Sequence, residues 1–196
     1  MSFAGAERLI LETNDASGEG MTVETINLGK ADGLPPVEWT TVVERLEARD
    51  APEPDAHNAR TTWLCTLNED GSPHVTAVGA LWVDGTFWFQ TGAGTRKAHN
   101  VARDPRCSVA TSLRGVDVVL EGDATQVTDP DSVAKLANAW ADQGWPAEPH
   151  ESGAGITAPF NAPGQGNPPW GVYRIEPRTA TAVLGTEPGG LTRFRF

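Results

Sequence analysis

Short runs that are typical of β-strands, several of them separated by tight glycine turns, constrain the fold of this chain more than any other feature. Such runs occupy residues 61–67, 74–83, 86–91, 107–113, 116–127, 170–175, 179–184 and 191–196. Asp84-Gly85 and Arg114-Gly115 lie between neighbouring runs, and an Asp-Gly pair is typical of a two-residue hairpin turn. At least six short strands with two or three inserted helices predict a mainly β fold, a small closed barrel with flanking helices, rather than a parallel sheet.

Helices are predicted on both sides of these strands. Residues 37–49 follow two prolines and place apolar side chains at three-to-four spacing. Asp129 is an N-cap followed by a proline, so we expect a helix from there to about residue 143. Residues 144–169 show no periodicity, and a loop of this length in a compact domain is usually functional or mobile. Residues 1–35 contain turn-rich, acidic sequence and are expected to be a weakly structured extension, with one domain over residues 36–196.

The charge balance excludes two classes of partner. The chain has 15 Lys and Arg residues and 26 Asp and Glu residues, for a formal charge of −11. Binding to nucleic acids or anionic membranes requires a basic surface. Cys65 and Cys107 both lie in apolar runs without a metal-ligand pattern, so we expect reduced thiols, no metal site and a cytoplasmic location.

A glycine turn and a short helix follow the run at residues 86–91. Thr95, Arg96 and Lys97 open this helix, where unpaired N–H groups and the helix dipole attract anions. A hydroxyl and two cations at this place predict a site for a phosphate group. The plain alternative, a solvated charged helix face, stays open on spacing alone. Neither GxxxxGK[ST] nor GxGxxG is present, so the site is not a P-loop or Rossmann site.

Several segments together resemble the pyridoxamine 5′-phosphate oxidase-like superfamily. They are Gly71-Ser-Pro73, Phe89-Gln-Thr91, Thr95-Arg-Lys-Ala-His-Asn100, Asp104-Pro-Arg106 and Trp170-Gly-Val-Tyr-Arg-Ile-Glu-Pro177. Residues 189–196 are similar to the tail of the actinobacterial branch that uses coenzyme F420 or FMN. The resemblance spans about residues 37–196 and implies a split β-barrel, a flavin- or deazaflavin-dependent oxidoreductase and a homodimer.

The resemblance also implies a set of cofactor-binding residues. Arg96 and Lys97 match the pair that holds the cofactor phosphate, and Thr95 matches the adjacent hydroxyl. The other matching positions, which adjoin the cofactor chain, the ring or the substrate side, are Thr76, Ala77, Val78, Gln90, Thr91, Asn100, Trp170 and Arg174. No catalytic side chain is identified, because solvent can supply the proton in hydride transfer of this kind.

Departures from the family pattern bear on the cofactor. The vitamin-B6 oxidases carry two cations where this chain has Thr76 and Leu81, which argues against true pyridoxamine-phosphate oxidase activity. Thr95, Lys97, Asn100 and the run Arg103-Asp-Pro-Arg106 resemble the actinobacterial branch that uses coenzyme F420 or FMN. Between these two cofactors we lean to F420, whose anionic tail would need a further cation such as Arg103, Arg106 or Arg60.

The function expected from the sequence is hydride transfer to or from a small conjugated substrate, with F420 or FMN as cofactor. The alternative is a non-catalytic split barrel that binds a cofactor or haem. A haem would require a histidine ligand, for which His74, His99 and His150 are available.

Overall fold

In the computed structural model, residues 7–14, 20–53, 55, 59 and 61–196 are described. Within them lie twelve strands and three helices. The strands are β1 (Glu7–Asn14), β2 (Gly20–Asn27), β3 (Thr62–Leu67), β4 (Pro73–Val78), β5 (Leu81–Val83), β6 (Thr86–Gly92), β7 (Arg106–Leu113), β8 (Val116–Val127), β9 (Glu148–Pro149), β10 (Ile156–Thr157), β11 (Trp170–Leu184) and β12 (Gly190–Arg195). The helices are α1 (Trp39–Ala48), α2 (Arg96–Arg103) and α3 (Pro130–Ala141).

All strand pairs in the described residues are antiparallel, in the order β1-β2-β12-β11-β8-β7-β3-β4, with β6 also paired to β11. The long strand β11 changes its neighbour along one edge: its first residues pair with β6 and its last with β12, while β8 follows the other edge. A strand shared in this way bends the sheet around a core, and the predicted split β-barrel with flanking helices is confirmed.

Local sequence signals explain most element boundaries. Asp84 and Gly85 both have positive φ, at 51° and 74°, as a two-residue hairpin turn requires. The Asp129 carboxylate accepts a hydrogen bond from the Ser132 N–H at 2.9 Å and so caps α3. The predicted helices at residues 37–49 and 129–143 are therefore confirmed with slightly shorter bounds.

Two apolar clusters support the fold. The larger fills the barrel and includes the fully buried Phe89, Leu64 and Phe194. The smaller lies between α3 and the beginning of β11, where Leu136 and Trp170 are buried. The second cluster fixes α3 beside the end of β6, and this places the candidate site described below.

Two strand predictions differ from the structure. Residues 74–83 form two strands, because the chain leaves β3 after Val78 and pairs with β6 from Leu81. Residues 170–175 and 179–184 form one strand with a bulge between Pro177 and Thr179. Proline lacks the N–H that a continuous ladder would use.

The segments predicted to lack regular structure also differ. Within residues 1–35, β2 pairs with β12 and Val23 is fully buried, so this part joins the barrel. The remaining residues of that segment, 1–6 and 15–19, lie outside the described part. Within residues 144–169, β9 and β10 form a short pair, and Ile156 is fully buried against the second cluster.

None of the helices in the described part of the chain combines the length and apolar character needed to cross a membrane.

Candidate cofactor-phosphate and ring site

The N-terminus of α2 lies directly after the end of β6. The Thr95 hydroxyl oxygen accepts a hydrogen bond from the Ala98 N–H at 3.3 Å and lies 2.8 Å from the Thr91 hydroxyl oxygen. Thr95 is therefore the N-cap of the helix. The Thr95 hydroxyl occupies the Ala98 N–H. The first two N–H groups of the helix, those of Arg96 and Lys97, therefore remain directed at the space in front of the helix.

Lys97 is the most unusual side chain of this region. It is 7% exposed, yet its ammonium group has no hydrogen bond or ion pair with any described residue. Burial lowers the pKa of Lys97 from its ordinary value. A buried cation without a carboxylate is costly unless an anion compensates it, so Lys97 is a candidate anion-binding residue.

The other cations near α2 have different roles. Arg106 pairs with Asp104 at 2.6 Å and holds the pKa of that carboxyl at about 2. Arg114 pairs with Asp50 at 2.9 Å, and Arg103 donates to the Leu67 carbonyl oxygen. Of the cations within residues 96–114, Arg96 and Lys97 are therefore those without a partner among the described residues.

His74 lies close to these two cations. Its pKa is lowered by burial and then by the positive charges of Arg96 and Lys97. The same surroundings therefore disfavour the protonated, positively charged form of His74. Of the other histidines offered as haem ligands, His99 is exposed and His150 is hydrogen-bonded to the Ser152 hydroxyl at 2.8 Å.

A cavity of about 430 Å³ opens between β4, the end of β6, α3 and the following loop. Its lining includes the predicted residues Ala77, Val78 and Gln90, and also Thr61, Gly79, Trp140, Trp145, Phe160, Asn161, Ala162 and Gln165. The Thr76 hydroxyl oxygen on β4 is buried without a hydrogen-bond partner in the described residues. Apolar and aromatic walls with a few amides at the edge suit a flat molecule.

The loop after α3 closes one side of this cavity through two amides. Gln90 and Asn161 exchange a pair of hydrogen bonds of 3.1 Å each. The Gln165 carboxamide oxygen accepts from the Thr91 hydroxyl at 2.9 Å and from the Gly92 N–H at 3.3 Å. A Cβ on Gly92 would overlap the backbone carbonyl oxygen of Gln165, so the close approach of the loop to β6 requires glycine at this position.

The loop side of the cavity is the part of the site that the sequence pattern does not reveal. Helical spacing indicates only a core role for Trp140, and no pattern marks Trp145, Phe160, Asn161 or Gln165. They lie in or beside a loop without periodicity, where neither spacing nor a local motif identifies a binding residue. The tryptophans in and around this loop are the sequence feature that could draw attention to it, but they do not indicate which residues the loop contacts.

The remaining predicted residues lie outside the cavity lining. Asn100 is buried, and its amide donates to the Thr66 hydroxyl at 3.0 Å, which ties α2 to β3. Trp170 is buried in the second cluster below the loop. The Arg174 guanidinium lies 5.9 Å from the centre of the Trp88 ring and is exposed.

Metal and thiol chemistry have little support in the described residues. They contain no group of three or more His, Cys, Asp or Glu side chains arranged to hold a metal ion. Burial raises the pKa of the Cys107 thiol to about 12, so the reactive thiolate is not formed near neutral pH.

Comparisons with known proteins agree on the fold. No curated protein matches the chain. A pyridoxamine 5′-phosphate oxidase-related, FMN-binding protein from Nostoc punctiforme is 14% identical with a TM-score of 0.54, covering 81% of this chain and 91% of that one. PhzG from Burkholderia lata, in complex with tetrahydrophenazine-1-carboxylic acid, is 16% identical with a TM-score of 0.55, covering 86% and 91%.

A third solved structure, the conserved hypothetical protein Rv2991 from Mycobacterium tuberculosis, is 23% identical with a TM-score of 0.51, covering 74% of this chain and 84% of that one. The profile of the family described as pyridoxamine 5′-phosphate oxidase matches residues 51–182. These residues include β3 to β8, α2, α3 and most of β11. The chain belongs to the pyridoxamine 5′-phosphate oxidase family.

Proposed function

We propose that this protein is an oxidoreductase that binds a flavin-type cofactor, with the cofactor phosphate at the N-terminus of α2. The observation that carries the proposal is Lys97, a lysine 7% exposed and without a partner among the described residues, next to Arg96. Phosphate would receive charge-assisted hydrogen bonds from both side chains and from the first N–H groups of the helix.

The cofactor ring would lie in the cavity beside β4. Ala77 and Val78 offer one wall, and Trp145 and Phe160 offer aromatic surface from the loop. The Thr76 hydroxyl on the same strand is also buried without a partner among the described residues, but Thr76 does not line this cavity. When bound, a flavin-type cofactor supplies the hydride donor and acceptor. The side chains orient the ring and exclude water.

Among the described residues that line the cavity, none has a side chain that titrates near neutral pH. The described lining therefore supplies no general acid or base. Solvent would provide the proton for reduction of a small conjugated substrate. This assignment gives the protein the tasks of binding, orientation and exclusion of competing reactions.

F420 carries a longer anionic tail than FMN. The choice between the two cofactors therefore depends on whether further cations are available to bind that tail. Arg106 is paired with Asp104 and Arg103 with the Leu67 carbonyl oxygen, while Arg60 lies outside the described residues. One similar structure is called FMN-binding. We therefore propose FMN, in place of the F420 that the sequence pattern favours.

Equilibrium binding of FMN and F420 to cofactor-stripped protein, at one salt concentration, tests this proposal. We expect FMN to bind at least about tenfold more tightly, a difference of about 1.4 kcal/mol. Tighter binding of F420 would reverse the cofactor assignment and keep the site. Binding of neither would contradict the proposed function.

A homodimer is also part of the proposal. Trp63 on β3 is 52% exposed, Val75 on β4 is 55% exposed and Val119 on β8 is 40% exposed. The strand register places Trp63 opposite Ala110, which is itself opposite Val119, so these side chains share one outer face of the sheet. An apolar face of this kind suits a second copy of the chain. The mass of the protein in solution tests the dimer, since the mass of one chain is 20.8 kDa and a dimer has twice that mass.

A further inference from the structure

Residues 160–166, called the cap from here on, are held over the end of β6 by both backbone and side-chain groups. The Trp145 indole N–H donates to the Phe160 carbonyl oxygen at 2.7 Å, and the Trp170 indole N–H donates to the Gly166 carbonyl oxygen at 3.1 Å. Between these anchors lies the Gln165 amide. The cap is therefore a fitted wall of the cavity rather than a loosely placed loop.

The hydrogen bonds determine which way the Gln165 amide points. The Gly92 N–H can only donate, so the atom that faces it, 3.3 Å away, is the carboxamide oxygen. The same oxygen accepts from the Thr91 hydroxyl. The amide nitrogen carries two N–H donors and has no hydrogen-bond partner among the described residues. Since Gln165 lines the cavity, these donors are available to a bound molecule.

Gln165 also occupies a particular place between the two parts of the proposed site. Its oxygen contacts Thr91, whose hydroxyl lies 2.8 Å from the Thr95 N-cap of α2. Its side chain borders the same cavity as Ala77 and Val78 on β4. A cofactor with its phosphate at α2 and its ring beside β4 would therefore run close to this amide.

We propose that Gln165 is a cofactor-binding residue, with its amide N–H groups donating to an acceptor oxygen between the phosphate and the ring. The inference rests on the proposed function and extends it to a residue outside the family motif. Gln165 would then have two roles, because its oxygen fastens the cap to β6 and its nitrogen binds the ligand.

Gln165→Glu separates these roles. The carboxylate keeps an oxygen for Thr91 and Gly92, but it replaces the N–H donors with a negative charge. We expect the dissociation constant for FMN to rise at least about tenfold, with little change in the thermal midpoint of the ligand-free protein. Asn167→Asp is the matched control, since it adds the same charge at an exposed position two residues away that does not line the cavity.

A third variant, Gln165→Met, removes the donors without adding charge, but it also removes the oxygen that accepts from Thr91 and Gly92. We expect a lower thermal midpoint in the ligand-free variant, from the lost contacts of the cap, and a several-fold loss of FMN affinity. Equal losses in Gln165→Glu and Asn167→Asp would overturn the inference, as would FMN affinity unchanged in Gln165→Met. If the unaltered protein binds neither FMN nor F420, the proposed function fails together with this inference. If it binds FMN and the Gln165 variants bind it equally well, only the inference fails.

Discussion

Replacing Arg96 and Lys97 together by alanine is expected to lower FMN affinity by about two to four orders of magnitude. Each charge-assisted hydrogen bond contributes about 1.5–3 kcal/mol, so the loss of two corresponds to about 3–6 kcal/mol. Lys97 is the larger contributor, because its burial leaves the phosphate as its partner. Titration of cofactor-stripped protein with FMN, followed by flavin fluorescence, measures the change.

The fold should remain intact in this double variant. Arg96 is exposed and Lys97 is buried, and neither has an ion pair with another described residue that the double variant would break. The matched control is Arg114→Ala with Arg178→Ala, which removes the same charge from residues paired with Asp50 and Asp123. FMN affinity should stay within about threefold in the control. Equal losses in both double variants would show general charge attraction and contradict the site.

Gly92→Ala is expected to lower the free energy of unfolding by about 2–4 kcal/mol. The new Cβ would overlap the Gln165 carbonyl oxygen, so the cap must leave β6. The displaced cap loses the two hydrogen bonds to the Gln165 side chain and the bond between Trp170 and Gly166, each contributing about 0.5–1.5 kcal/mol. Thermal unfolding should show a midpoint roughly 5–10 °C lower, and amide exchange in residues 160–166 should become faster.

Gly94→Ala is the matched control for this prediction. Gly94 lies two residues further along the same turn, and a Cβ there would have no atom within 4 Å among those described. Its free energy of unfolding should stay within about 0.5 kcal/mol of the unaltered protein. If Gly92→Ala unfolds like Gly94→Ala, the cap does not approach β6 as closely as the structure shows.

The sequence is sufficient to predict those features of the fold that neighbouring residues determine. Asp84-Gly85 has the φ angles of the predicted hairpin turn, and Thr95 caps the predicted helix α2. The same local pattern, a glycine turn followed by a capping hydroxyl, predicts that Arg96 and Lys97 lie at a helix N-terminus. These features depend on neighbouring residues only, and so they can be predicted from spacing and residue type.

Features that depend on strand partners could not be predicted in this way. The mainly apolar run predicted as one strand continues from residue 74 to 83, but the partner changes from β3 to β6 after Val78. Likewise, β11 remains one strand because the long strand β8 pairs with it on both sides of the bulge. The burial of β2 has the same origin, since its pairing with β12 makes it part of the barrel.

The cap shows the corresponding limit for the site. The contact between Gly92 and Gln165 joins residues 73 positions apart, and the loop that carries Gln165 has no period from which its partner could be inferred. The two cations of the site follow from a local motif, whereas the wall opposite them depends on the tertiary fold. The helix N-terminus that carries Arg96 and Lys97, where we propose the phosphate, can therefore be predicted from the sequence, but the cap cannot.

The most direct test of the central claim, that Arg96 and Lys97 hold a cofactor phosphate, compares FMN with riboflavin. The two molecules share the ring and the ribityl chain, and only FMN carries the phosphate. We predict that the unaltered, cofactor-stripped protein binds FMN at least about 100-fold more tightly than riboflavin, a difference of about 2.7 kcal/mol. Equal affinity for FMN and riboflavin would contradict the assignment of the phosphate to α2.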